Sequence, residues 1–272
     1  MSVKKKVIII SIIVVIILAL LAIFIVKPWL EASNEYKTIT SKIKKENKKL
    51  EDSIGSLDKY INSSKKTYDE NIPSEAKKVK KAAQQKMIII EKKPFLTSEI
   101  KKVNKKMDKK PDLSKEINSV NEMAKKYDIS IKQMEKFNNP SEDYIKKRIA
   151  SVETVTNFAA VTEDNDPNGK LNKSGGYTST VYFESSLVNQ SEFDTNDVIE
   201  KGTECGGSIE VYSTEEDAKK RDTYLASFDG SILSNGKHTV VGTVVIRVSD
   251  EMGASKQEEL TQKIKDAIAK LD

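Results

Sequence analysis

A fold cross-linked to itself by disulfides is excluded at once, because Cys205 is the only cysteine in the chain. Histidine is equally scarce, with His238 alone, so a zinc site would need two further ligands from carboxylates. Arginine occurs only at Arg148, Arg221 and Arg247, and aromatic residues are not interleaved with it. Nucleic-acid recognition commonly uses arginine forks and stacking platforms, so no nucleic-acid partner is predicted. Glycine is missing from the first 150 residues except at Gly55, which leaves that stretch few tight turns. No cysteine lies near the amino terminus, which excludes a lipoprotein.

What the chain does have is an apolar run from Val7 to Val26, without a charge or a proline and with Ser11 as its one polar residue. As a helix it reaches about 30 Å, the thickness of a bilayer's hydrocarbon core. Lys4, Lys5 and Lys6 precede it, and Lys27, Pro28 and Trp29 come after it. The lysine cluster predicts residues 1–6 as a cytoplasmic tail, 7–26 as a single-pass signal-anchor, and the remainder as extracytoplasmic at the cell membrane. A cleaved signal peptide is the rival reading. The run is longer than such a core and ends Phe24-Ile25-Val26-Lys27 with no small-x-small site, although Ala19 and Ala22 have that spacing inside it.

Charge divides the rest. The first 150 residues hold 34 Lys+Arg against 19 Asp+Glu, a net of +15, and residues 151–272 hold 12 against 22, a net of −10. The basic part predicts a helical stalk or bundle over residues 31–159. Tyr36, Ile43, Leu50 and Leu57 share one heptad register, and Asn47, Ile54 and Ile61 the other. That is the seam of a coiled coil over 33–68, serving either a homodimer or packing within the chain. Pro73 opens a further helix leading into Met87–Ile90, and Pro94 interrupts it. Thr97 or Ser98 caps the next, through Ile100, Val103 and Met107, ending before Pro111. Leu113, Ile117, Val120, Ala124 and Tyr127 form another one-sided stripe, and Ile145, Ile149, Val152, Val155 and Ala159 a last one. The lysines suit either plain solvation or an anionic envelope polymer.

Near Ala160 the composition changes: nine of the eleven glycines lie between Gly169 and Gly242. Residues 160–272 predict a small α+β domain. Its strands are Thr178–Phe183, Ser208–Tyr212 and Thr239–Val248. Its helices begin at capping boxes, Ser213-x-x-Glu216 and Ser255-x-x-Glu258. A helix between the second and third strands predicts a parallel crossover, hence a mixed sheet covered by two helices.

Three constellations carry candidate chemistry. Asp164, Asp166 and Asn168, with Gly169 next, match the first half of a calcium loop, but the twelfth position is Gly175 instead of glutamate. An Asp-Pro-Asn-Gly turn explains the same residues locally. Cys205 with His238 is a candidate thiol–imidazole pair for hydrolysis or acyl transfer, and a core thiol with an edge imidazole is the alternative. The glycines form no phosphate loop, and Gly242 marks a close approach of backbone or a large neighbour. No cofactor is predicted apart from calcium as the second reading of that loop.

The stretches Asn165–Leu171, Gly175–Tyr177, Lys201–Thr203, Gly207–Tyr212, Tyr224–Gly230 and His238–Thr243 resemble a domain of uncharacterised membrane-anchored proteins of Gram-positive bacteria. The resemblance covers residues 160–272 and implies an envelope protein, with no activity or ligand to carry over. Together these readings predict a non-enzymatic anchored protein presenting a binding domain to an envelope polymer or another envelope protein. The alternatives are a thiol enzyme using Cys205 and His238, and a structural spacer.

Overall fold

A computed structural model of the chain describes residues 2–109, 112–230 and 236–271. The α+β class holds, in two compact units that do not divide where composition changes. One unit comprises residues 1–64 and 71–127, the other residues 65–70 and 128–272.

The first unit is helical. Helix α1 (Val3–Leu21) passes through a single π-helical turn (Ala22–Val26) into α2 (Lys27–Ile61). The wider turn lies where the ring of Pro28 would otherwise press on the preceding carbonyls, so the helix continues past the proline. The continuous helix Val3–Ile61 has a window of mean hydropathy 3.7, none of it buried, and is long and apolar enough to cross a membrane.

Beyond Trp29 the heptad stripe turns inward. Ile39, Ile43, Leu50, Ile54 and Leu57 are buried, against α3 (Ile72–Gln84) and α4 (Thr97–Met107). Chain segments of this same unit therefore fill the predicted seam. Asn47 binds the backbone of Ile88. The predicted coiled coil to residue 68 stops at Ile61. The predicted helix through Met87–Ile90 stops at Gln84, and the β-branched residues beyond it run extended. Pro111, predicted as the stop after Met107, lies outside the described residues. Helix α5 (Ser114–Glu135) comes next, with the boundary between the units falling at Tyr127/Asp128 inside its sequence.

The second unit begins earlier than residue 160 because its core claims residues that periodicity assigns to the stalk. Phe137, together with Ile145 and Ile149 of α6 (Glu142–Ile149), is fully buried in the same cluster as Phe183, Ile209 and Ile246. Tyr68 stacks on Phe137 at 5.7 Å and donates to Asp266 at 2.9 Å. Burial and that carboxylate hold the Tyr68 phenol well above its ordinary pKa. Val155 and Ala159, predicted as helix, form strand β1 (Val155–Ala160).

The sheet order is β1, β2 (Tyr177–Ser185), β3 (Gly206–Tyr212), β5 (Val244–Val248), β4 (Lys237–Val241), and every pair is antiparallel. The predicted single strand Thr239–Val248 is two, folded back at Gly242-Thr243. Gly242 has φ +58°, and an added Cβ there would meet the Phe137 carbonyl at 2.6 Å, as the close-approach reading of this glycine requires. That fold-back inserts β5 between β3 and β4, which still run parallel to each other across it with α8 as their connection, so every hydrogen-bonded pair is antiparallel and the sheet is not mixed.

Helices α6 and α9 (Ala254–Ala269) cover one face of the sheet. The short α7 (Val198–Lys201) and α8 (Glu215–Ala226) cover the other. Helix α8 is capped one residue later than predicted: Thr214 accepts from the Asp217 amide at 3.1 Å. Gly253 occupies the cap of α9, where no side chain bonds.

Candidate functional site

Alternation along the strands builds the site. On β3, Ile209 and Val211 join the α6/α9 core, so Ser208, Glu210 and Tyr212 face α8. Arg247 on β5 pairs with Ser208 on one side and His238 of β4 on the other, which puts all three on that face. Helix α8 presents Ala218, Arg221, Asp222 and Leu225, spaced three and four apart, toward them.

Glu210 is the centre of the cluster, with no exposed surface. It accepts two hydrogen bonds from Arg221, from Nε and Nη2, each at 2.9 Å. A third comes from Tyr212 Oη at 2.8 Å, and Arg247 Nη1 stands at 3.3 Å. Burial opposes the charge on Arg221, but Glu210 outweighs it and holds the guanidinium above its ordinary pKa. Burial first, and then the Glu210 charge, push the Tyr212 phenol far up, so it stays a neutral donor. Two guanidinium groups share one carboxylate, leaving one positive charge in excess at this end.

At the other end His238 Nδ1 lies 2.7 Å from Asp222, and Nε2 lies 3.4 Å from Asp229. Between the two ends is a cavity of about 300 Å³. Arg221, Arg247, His238, Asp229 and Asn168 give it polar walls, and Tyr224 with Phe228 a T-shaped aromatic one. The hydroxyls of Ser208 and Thr180, buried on the same sheet face, have no hydrogen-bond partner among the described residues. The arrangement can bind: guanidinium groups suit a carboxylate or phosphate, and the aspartates a donor group on the same ligand.

Cys205 and His238 are not brought together. Cys205 lies just before β3, buried among Val198, Ile199 and Tyr182, with Sγ 3.3 Å from the Gly202 carbonyl and 3.5 Å from that of Phe183. His238 is on β4, in register with Ser208 across Arg247 of β5, so it lies two strand spacings of about 4.8 Å across the sheet and three residues, about 10 Å, along it from Cys205. Burial first, and then the charge of Glu184, push the thiol up to about 12. Such a thiol is a poor nucleophile. The candidate pair is thus not assembled: the ring nitrogens of His238 are directed at Asp222 and Asp229.

In the calcium half-motif, Asp166 is tied to the backbone that follows it. One Asp166 oxygen accepts from the amides of Lys170 and Leu171, the latter at 2.8 Å, and the other from the Asn168 amide at 3.0 Å and the Tyr177 hydroxyl. Partial burial works to raise the Asp166 pKa, and these hydrogen bonds outweigh it and hold the carboxyl below its ordinary value. Asn168 directs Nδ2 at the hydroxyls of Tyr177 and Tyr182, at 3.4 and 3.3 Å. Asp164 is exposed. The amide bonds to Asp166 are those of an Asp-Pro-Asn-Gly turn, the local explanation of these residues. Among the described residues no three His, Cys, Asp or Glu side chains gather as a metal group.

Sequence reading missed Glu210, Arg221 and Arg247. A signal was present: in a chain that uses lysine on its surface, the three arginines are the exceptions, and Glu210 is the one charged residue of an otherwise uncharged strand. No protein-family model matches the chain, and no curated protein or solved structure matches it.

Proposed function

We propose that the protein is a non-enzymatic, single-pass envelope protein. The Val7–Val26 run anchors it, the amino end lies in the cytoplasm, and the α+β domain is presented outside as a binding module. Its ligand would be an envelope component carrying an anionic group, bound against Arg221 and Arg247. The observation that carries this reading is the pairing, in one chain, of a wholly exposed apolar helix with a cavity walled by Arg221, Arg247 and the Tyr224–Phe228 aromatic pair. The basic balance of the first 150 residues supports a place beside anionic polymer.

Two measurements test it. Protease added to intact protoplasts is expected to remove the carboxy-terminal domain, and complete protection would overturn the orientation. Detergent-solubilised chain is expected to be retained on immobilised teichoic acid, and Arg247→Gln to weaken that retention. Equal retention of both would remove the cavity from the reading.

A further inference from the structure

The chain from Ile88 to Leu96 runs along α2 back toward the apolar span. Asn47 holds Ile88, Tyr36 Oη donates to the Glu91 carbonyl at 2.6 Å, and Lys93 Nζ reaches Ser33 Oγ at 3.4 Å. Trp29 Nε1 then donates to the Phe95 carbonyl at 3.0 Å, with Lys93 Nζ 4.6 Å from the centre of the indole ring. The partners on α2 fall from 47 to 36, 33 and 29 while the chain advances from 88 to 95. The strap thus runs close to full extension, at most about 25 Å for seven residues, beside about 27 Å of α2, and the side chains of Asn47 and Trp29 make up the difference. At Thr97 it reverses into α4, whose Asn104 donates to the Ala32 carbonyl at 2.9 Å and whose Met107 packs on Ile39 and Ile43. Pro94, Phe95 and Leu96 are therefore the lowest point of a strap-and-helix excursion, level with Trp29.

Trp29 lies three residues beyond Val26, or about 4.5 Å past the end of the apolar run. That depth is the interfacial zone where indole rings concentrate. At this level Phe95 is 85% exposed and Leu96 57%, beside Leu30 at 47%. Lys92 and Lys93 adjoin them, the arrangement that lets ammonium groups meet lipid phosphates while apolar side chains enter below.

We infer that the Pro94–Leu96 tip is a second membrane contact, with Phe95 and Leu96 seated in the interface of the leaflet from which α2 emerges. This rests on the proposed membrane anchor. The contact fixes the helical unit at the bilayer by two points, which restricts its tilt as a lone helix does not. Ile89 is as exposed, at 83%, but sits near the Asn47 level, far above the interface, and takes no part.

Trp29 is the chain's only tryptophan, so indole quenching reads depth directly. The full chain is reconstituted in phosphatidylcholine–phosphatidylglycerol vesicles whose acyl chains carry bromine near the headgroup. Wild-type Trp29 is expected to be quenched, and the double variant Trp29→Phe/Phe95→Trp to be quenched to a comparable extent. Trp29→Phe/Ile89→Trp is expected to be unaffected. Leu96→Trp with Trp29 retained preserves the Trp29–Phe95 hydrogen bond, and both of its indoles are expected to be quenched. Quenching of wild type with no quenching at 95, and about half the wild-type quenched fraction in Leu96→Trp, would overturn the tip contact and leave the anchor standing. Equal quenching at 89 and 95 would overturn the depth argument. No quenching of Trp29 itself would overturn the anchor and this inference with it.

Discussion

Asn47 grips both backbone groups of Ile88: Nδ2 donates to the carbonyl at 2.8 Å and Oδ1 accepts the amide at 2.9 Å. A side-chain amide used in this way imitates a strand partner, and it supplies the hydrogen bonds that an extended segment beside a helix lacks. Asn47→Ala is expected to destabilise the helical unit by about 1–3 kcal/mol. Hydrogen exchange at the Ile88 amide should rise about tenfold or more, with little change in the α+β domain. Asn47→Asp keeps the acceptor for that amide and should lose less.

Glu210 bonds two guanidinium groups from a position with no solvent access. Glu210→Gln is expected to cost about 3–5 kcal/mol, because a buried charge then loses its counter-ion. Removing Arg221 as well, as Arg221→Gln, should cost less than the two losses added. A denaturant double-mutant cycle measures the difference, and strict additivity would show that the pair is not coupled.

The Cys205 thiol, pushed to about 12 and packed against backbone carbonyls, is expected to resist iodoacetamide at pH 8 in the folded chain. It should label fully in guanidinium chloride. Rapid labelling of native protein would contradict the packing.

Asp166 has a folded pKa below the ordinary aspartate value of 3.8. A depressed carboxylate stabilises the fold fully above the unfolded value, and that contribution is lost as pH falls through the folded one. The difference in melting temperature between wild type and Asp166→Asn is therefore expected to be constant near neutral pH. It should shrink only as pH drops below about 3.8.

Gly207 packs where no side chain fits: an added Cβ would stand 2.1 Å from the Arg247 carbonyl and 2.6 Å from the Phe183 ring. Gly207→Ala is expected to destabilise the sheet by about 2–4 kcal/mol, read as a lowered denaturant midpoint.

Local pattern made parts of this architecture legible. The stripe from Ile43 to Leu57 announced a helix with one buried face, and Ile209 and Val211 announced a strand. Where two local readings compete, pattern failed. Val152, Val155 and Ala159 fit a helical spacing, yet Val155 and Ala159 lie in a strand, because β1 can complete its hydrogen bonds on β2. Thr239–Val248 reads as one apolar strand because Gly242 is a single glycine inside a β-branched run, and the fold-back it makes shows only in the pairing of Val241 with Val244. The calcium half-motif and the Cys205/His238 pair were readable as residue types, but chemistry requires separations in space that spacing in sequence does not encode.

Hydropathy and periodicity are properties of neighbouring residues. They were enough to establish a helix able to cross a membrane and the α+β class of the chain beyond it. The boundary at Tyr127/Asp128, the strap that carries Phe95 down to Trp29, and the meeting of Arg221 and Arg247 on Glu210 rest on partners distant in the chain, 66 residues apart for Trp29 and Phe95 and 37 for Glu210 and Arg247. Such contacts form when distant segments bury surface and satisfy polar groups together, and that condition exists only in the folded chain.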